Sequence, residues 1–339
     1  MPRSLASSSA RPVAVYGAGG HTGRFVVDEL RRRGLAVVAV GRDARTLPAG
    51  VPGRAAAIDD DWALREALAG CGVVINCAGP FLDTAEAVVQ ATIDVGASYL
   101  DVTAEQASAM AVFERFDAPA RDAGVAVIPA AGFYGGLADV LATALVGPDG
   151  VADELTVAVA LDRWWPTEGT RRTGARNTVP RLVVVDHRLV TMPLPAAASR
   201  WRFGPPHGEQ AMVELPFSEV ITIARHLRPR SVRAHLTQAA LDDISDDATP
   251  PPAATDATGR SAQRFEMVVQ ARRGDTLRTA VARGQDIYAV SAPMVVETAV
   301  RLTRPDFGRA GALALGEAVD ARDFLAALSP HALDVAICD

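Results

Sequence analysis

The 339-residue sequence contains no lysine, so all 34 of its basic side chains are arginine. That absence excludes Schiff-base chemistry and any lysine general acid. Cysteine is scarce, and Cys71, Cys77 and Cys338 form no disulfide or metal-ligand spacing, which points to a reducing, cytoplasmic setting. No apolar run reaches the length of a membrane span. The opening MPRSLASSSAR lacks the apolar stretch of a secretory signal, so residues 1–10 read as a disordered leader. Excess positive charge is missing as well: the formal net charge is −6, whereas a nucleic-acid partner needs a basic face. The expected partner is therefore a small molecule, with neither nucleic acid nor membrane. No metal constellation and no Ser-His-Asp or Cys-His nucleophile arrangement can be argued.

What is present is apolar residue, 49% of the chain, at a length that suggests two lobes. The most informative stretch runs from Pro12 to Arg42. Val13 to Tyr16 is a short continuous apolar run, as expected of a strand covered on both faces. Gly17, Gly20 and Gly23 follow at three-residue spacing, with Gly19 between them. A helix then turns Val26, Val27 and Leu30 inward and stops at Arg31, Arg32, Arg33 and Gly34. Leu35 to Val40 is the next strand. A βαβ unit with such a turn suits a pyrophosphate, because backbone can approach phosphate only where no Cβ intervenes. Gly17, Gly19, Gly20, His21, Thr22 and Gly23 are the candidate cradle. Glycine-rich turns also close ordinary strand–helix corners; here the flanking elements supply the context that the motif requires.

Strand and helix alternate from 12 to 129, the pattern of a doubly wound parallel sheet. Asp43 to Arg54 reads as a loop. Asp59, Asp60 and Asp61 stand where a helix begins, either as caps or, for Asp59, as a carboxylate bordering the adenine. Asn76, Cys77, Ala78, Gly79 and Pro80 end another buried strand (Gly72 to Pro80). They form a second candidate wall of the cofactor site, or simply a βα turn. Helices are expected at Ala85–Val95, Ala107–Asp122, Leu137–Val146 and Ser218–Leu227, then at Ser291–Thr303 with Ser291 as cap, and at Ala321–Leu328. Beyond Gly150 the texture changes to alternating segments. Arg264–Ala271 and Thr276–Ala282 flank a Gly274-Asp275 turn, a hairpin signal. The second lobe reads as α+β with an antiparallel or mixed sheet, and Asp242–Gly259 as a flexible loop.

Arg42 ends the second strand, 19 residues past Gly23. A guanidinium there suits a ribose 2′-phosphate, so NADP(H) is favoured over NAD(H). The alternative leaves Arg42 solvated and gives the ribose to Asp43. Tyr134, in the glycine-rich corner after the first lobe's last strand, is either a proton or hydrogen-bond donor at the cleft or a core aromatic. Glu105 either orients an amine or carboxamide or caps a helix. Asp139 reads as a helix-dipole partner, and His226 and His235 as hydrogen-bonded or solvated rather than acidic. Arg171, Arg172 and Arg176, beside Trp164 and Trp165, read either as an anion grip or as a solvated loop.

Taken in order, GAGGHTGRFVVDELRRRG (17–34), AVGR (39–42), VVINCAGPF (73–81), GASYLDVTAE (96–105), GFYGGLADVLA (132–142), LPFSEVITIARH (215–226) and YAVSAPMVVETAVRL (288–302) resemble the saccharopine dehydrogenase-like superfamily, including its trans-acting enoyl reductase branch. The resemblance implies a Rossmann domain (11–131) interrupted by a substrate and dimerisation domain (132–286). It also implies C-terminal helices (287–339) that return to the Rossmann domain. It further implies NAD(P)-dependent hydride chemistry on C=N or activated C=C bonds, in a biosynthetic setting, and a homodimer through the second domain. The family's frequent glycine after the GPF turn is replaced here by Asp83-Thr84. The reading is an NADPH-dependent reductase with Tyr134 and Glu105 as catalytic candidates; the alternative is an NADP(H)-binding sensor or scaffold that transfers nothing.

Overall fold

The computed structural model describes residues 11–338; the expected leader lies outside the described residues. The first lobe runs β1 (Val13–Tyr16), α1 (His21–Arg32), β2 (Val37–Gly41), β3 (Gly53–Ala55), α2 (Asp61–Leu68), β4 (Val73–Asn76), α3 (Phe81–Asp94), β5 (Ser98–Asp101), α4 (Gln106–Ala123), β6 (Ala126–Ile128) and α5 (Ala138–Val146). The second lobe runs β7 (Val151–Leu161), α6 (Glu168–Arg176), β8 (Leu182–Val185), β9 (Arg188–Thr191), β10 (Ala198–Arg202), β11 (Glu209–Glu214), α7 (Glu219–His226), β12 (Arg228–Thr237), α8 (Gln238–Ser245), β13 (Arg264–Arg273) and β14 (Thr276–Gln285). The chain closes with α9 (Ser291–Leu302), β15 (Gly311–Ala312), α10 (Leu315–Ala318), α11 (Ala321–Leu328) and β16 (Asp334–Cys338).

The first sheet has the order β15-β6-β5-β4-β1-β2-β3, with every pairing parallel. Strand order therefore reverses between β1 and β4, which opens a crevice at their carboxyl ends. The second sheet is mixed, as expected. Its path is β10-β11-β12-β7-β13-β14-β16, with β8 and β9 appended; β7 and β12 run parallel while the other pairs are antiparallel. Val26, Val27 and Leu30 of α1 are fully buried, each contributing about 2 kcal/mol of apolar burial. α1 docks on α9, and Arg33 joins them by reaching Glu29 and Glu297, both at 2.7 Å.

α5 is apolar all round except for Asp139 and Thr143, and is buried throughout apart from the partly exposed Thr143. It packs on β7, β13 and β14 of the second sheet and on α7, α10 and α11, so one hydrophobic core runs through both lobes. A separate core covers the opposite face of the parallel sheet.

Several expectations are corrected. Arg54 lies in edge strand β3 rather than a loop, because Gly53–Ala55 pairs with Ala39–Gly41. The expected loop at 242–259 begins inside α8. Beyond it the chain is tied down by Ala248 N–H and Thr258 N–H donating to the Asp246 and Asp256 carboxylates. Ser291 does not cap α9; its hydroxyl accepts from Phe133 N and donates to Ile287 O. The C-terminal segment returns α9 to the first lobe, but β16 pairs with β14 in the second sheet.

Candidate active site

The turn after β1 shows why each glycine stands where it does. Gly17 has φ +79°, and a Cβ there would lie 2.9 Å from Ala78 in the turn after β4. A Cβ on Gly19 would meet Thr46 O at 2.5 Å, and one on Gly23 would meet Gly17 O at 2.2 Å. Two turns are thereby pressed together at the sheet's reversal point. No side chain caps α1 at Gly20 and no acidic residue occupies its first turn, so its positive end is left for an anion. His21 Nε2 is buried there with no hydrogen-bond partner. Its ring lies edge-on to Phe25 and Tyr288, and burial, with Arg24 nearby, holds its pKa below the usual histidine range despite Asp286. These features fit a dinucleotide.

At the end of β2 the side chains sort themselves by occupancy. Asp43 is engaged, accepting from Arg45 N at 2.9 Å and from the Arg45 guanidinium at 2.7 Å. Arg42 is exposed with no hydrogen bond or ion pair among the described residues, and its charge is felt by the Tyr16 phenol. Asp59, also exposed, faces the same phenol; the cap of α2 is Asp60, which accepts from Ala63 N at 2.8 Å.

The turn after β4 is held by a buried network. Asn76 accepts from Ala78 N (2.9 Å) and donates to Tyr99 Oη (3.1 Å), and Tyr99 donates to Asp101 (2.9 Å). The other Asp101 oxygen accepts from Thr103 N and Ala130 N. Burial raises Asp101 to about 6 against the pull of those donors, and burial likewise pushes up the Cys77 thiol. Glu105 is a correction to the catalytic assignment. Its two oxygens accept from Phe81 N (2.8 Å) and Leu82 N (3.1 Å), so it caps α3, whose own N-cap is Pro80. Gly79 and Pro80 lie under α6: a Cβ on Gly79 would sit 3.0 Å from Thr173 Oγ1, and Arg176 Nε pairs with Asp83 at 2.9 Å.

Across the crevice stands an aromatic wall. The Tyr134 ring lies 5.6 Å from Trp164 and 4.2 Å from Phe217, centroid to centroid. Its hydroxyl is buried without a partner, and burial, with Tyr288 and Glu219 nearby, raises the phenol well above its usual value. Tyr288 Oη accepts from Trp164 Nε1 and shares a hydrogen bond with Thr170 Oγ1, both at 2.9 Å, linking this wall to His21. Arg171 donates to Asp246 O and Thr249 O, Arg172 pairs with Glu168 and Arg176 with Asp83, so none of the three is a free anion grip. Asp139 is more than a dipole partner: it pairs with His226 Nε2 at 2.7 Å and accepts from Gly316 N at 2.7 Å.

Sequence reading missed Glu219 and Arg181. Glu219 is 2% exposed; Oε1 accepts from Phe217 N at 2.8 Å, while Oε2 is buried without a partner. Its only local signal is a carboxylate at the start of α7, which reads as an ordinary helix terminus.

The glycine cradle at the sheet reversal and the facing wall define a two-lobed dinucleotide-binding protein. Residues 13–128 match the family model described as the saccharopine dehydrogenase NADP binding domain. The first lobe is thus similar to the NADP-binding domain of saccharopine dehydrogenase, and the cofactor that this domain type takes is NADP(H). A protein described as lipid droplet localized, from Caenorhabditis elegans, is 32% identical over 139 residues, which cover 36% of this chain and 33% of that protein. The chain therefore matches about a third of that relative's length. Among solved structures, apo saccharopine dehydrogenase (L-Glu forming) from Saccharomyces cerevisiae superposes with a TM-score of 0.65 at 14% identity, covering 97% of this chain and 100% of that one. C. glutamicum DAP dehydrogenase in complex with DAP gives 0.52 at 13% identity, covering 95% and 97%. At such identities these two report the fold.

Proposed function

We propose that the protein is an NADPH-dependent reductase acting on a C=N or activated C=C bond of a small organic acceptor. The observation that carries this reading is the crevice itself. The glycine cradle holds the buried, unpartnered Nε2 of His21, which Tyr288 and Trp164 join to Tyr134, whose hydroxyl is also buried and unpartnered; a bound ligand would offer both atoms a partner. When bound, the nicotinamide supplies the hydride. The chain's residues do the rest. Gly17 to Gly23 and the α1 terminus receive the pyrophosphate, and Arg42 grips the 2′-phosphate that Asp43, already held by Arg45, does not compete for. Ala78 to Pro80, stiffened by Asn76 and Glu105, support the nicotinamide end, and α6 above them keeps water out.

The reading includes a cytoplasmic location and a homodimer through the second lobe. Among the described residues no helix is long and apolar enough to cross a membrane. The second lobe exposes Val179, Leu189, Val190 and Leu194, and light scattering on purified protein tests the dimer. The function is tested by following NADPH absorbance with a panel of preformed imines and enones. Oxidation with at least one class is expected; tight NADPH binding with no oxidation across the panel identifies a sensor instead. Arg42→Asp is expected to raise the NADPH Kd by about tenfold or more, ~1.4 kcal/mol, and to leave NADH binding nearly unchanged. An unaltered NADPH Kd removes Arg42 from the site.

A further inference from the structure

We propose that Glu219 is the acceptor site's proton donor, delivering the proton from Oε2 while the Tyr134 hydroxyl orients the acceptor by a hydrogen bond. The inference rests on the reductase reading. It begins from placement. Ser218 donates to Thr103 O through its hydroxyl (2.9 Å) and to Ala104 O through its N–H (3.1 Å). These contacts fix the start of α7 at the carboxyl end of β5, beside the strand whose turn forms the nicotinamide end of the cradle. Gln106 fastens the same region, donating to Leu182 O and Phe217 O and accepting from Leu182 N. Glu219 is thus bolted to the first lobe at the crevice rather than being a surface residue of the second.

The second observation is the half-used carboxyl. Oε1 is held by Phe217 N, and Oε2, in a residue 98% removed from solvent, makes no hydrogen bond to another residue, the other donor acting on the carboxyl being Glu219's own N–H. The same Phe217 covers one face of Tyr134, whose hydroxyl is equally unpartnered, while Arg181 lies with its guanidinium 4.8 Å from the Phe217 ring centroid. Phe217 joins the three groups, its N–H bonding Glu219 and its ring lying against Tyr134 and Arg181, and the charge on Glu219 and Arg181 reaches the Tyr134 phenol. Burial, opposed by the Phe217 N–H, by the residue's own N–H and by Arg181, lifts Glu219 to about 7, whereas Tyr134 stays a neutral phenol throughout the physiological range. An acid matched to neutral pH outperforms a phenol as a proton source. The chemistry balances. Hydride delivery puts a hydrogen and two electrons on one end of the acceptor's π bond. The opened electron pair on the other end takes the Glu219 proton; the O–H bond breaks as an N–H or C–H bond forms. The carboxylate left beside Arg181 regains its proton from water.

The test has a binding arm and a turnover arm. Dissociation constants for NADP+ and NADPH are measured by calorimetry from pH 5.5 to 8.5. A carboxylate at the nicotinamide end favours the cationic oxidised ring. The preference for NADP+ over NADPH should therefore rise with pH through about 7, by roughly tenfold for each unit by which NADP+ lowers the carboxyl's pKa. Glu219→Gln should flatten this dependence, and His21, present in both proteins, cancels from the comparison. The charged and titratable groups that act on Glu219, namely Arg181 and Tyr134, do not change charge in this range. A wild-type preference independent of pH, or a variant that keeps the wild-type slope, overturns the proposal. With any acceptor that wild type reduces, Glu219→Gln should lower kcat by about 100-fold or more at unchanged NADPH Kd; unchanged kcat also overturns it. A wild-type enzyme that reduces nothing yet shows the Glu219-dependent preference sinks the reductase reading and leaves Glu219 at the nicotinamide end.

Discussion

The two walls of the crevice treat buried polar groups in opposite ways. On the first-lobe wall, Asn76, Tyr99, Asp101 and Glu105 satisfy one another or backbone N–H groups. On the facing wall, Tyr134 Oη and Glu219 Oε2 are as deeply enclosed and have no partner. Burial and charge are similar on the two walls; what differs is whether the buried atoms are paired, a difference that is not unique to the crevice, since Ser108 Oγ, His235 Nδ1 and Thr237 Oγ1 are unpartnered elsewhere. A satisfied network stiffens the backbone that holds it, while an unsatisfied one lowers stability until something arrives to pair with it.

The largest effect should come from the cradle that both walls serve. Gly23→Ala would set a Cβ 2.2 Å from Gly17 O, against 3.2 Å for the closest contact of Gly20→Ala. Calorimetry should show the first weakening NADPH binding by about 100-fold or more, ~2.7 kcal/mol, and the second by less than tenfold. Equal losses would mean that close packing is not what the spacing of glycines records.

Next comes a pair of substitutions that sets the walls against each other. Asp101→Ala strands Tyr99 Oη, Thr103 N and Ala130 N without their acceptor, at a cost of about 3 kcal/mol or more, so thermal melts should fall by roughly 6–12 °C. Glu219→Gln should do the reverse at high pH. The folded-state pKa of Glu219 is raised from 4.5 to about 7 by burial, so its contribution to stability is full below the unfolded value and is lost as pH rises through about 7. Gln carries no such loss, and the variant should melt higher than wild type at pH 8.5 and about equally at pH 5. A variant less stable at both pH values would place Glu219 with the scaffold.

The smallest effect belongs to His226. Burial would lower its pKa, but the charge and hydrogen bond of Asp139 outweigh burial and hold it above 6.5. Its contribution is present below pH 6.5 and lost as pH climbs through the raised value. The melting gap between wild type and His226→Ala, a few degrees at pH 6, should narrow by pH 9.

The first wall was legible because its signals are local. Three glycines, an apolar strand and an amphipathic helix sit within thirty residues, and a Cβ at Gly17 or Gly23 collides with chain across one strand or nearby in sequence. Strand β10 escaped notice because its side chains are mostly exposed and show no alternation, and β16 because it only borders a hairpin edge. Glu219 was invisible for another reason. Nothing within its own helix distinguishes it; its environment is assembled from residues 134, 181 and 217, and only the folded chain brings those together. Glu105 was visible with both of its readings open, and it takes the capping one, on a helix 23 residues upstream rather than on its own.

The shared core around α5 constrains how anything enters. With side chains of both sheets locked into one packed interior, the lobes cannot swing apart like the halves of a clam without tearing that interior open. α6 is the cover of the crevice that this core does not hold. None of its nine residues is buried, its threshold is the Tyr288 hydroxyl, and its latch on the far side is the solvent-facing Arg176–Asp83 pair. Salt screens an exposed pair of that kind, so α6 is held to the first lobe more by the Tyr288 hydroxyl and Thr170 than by charge.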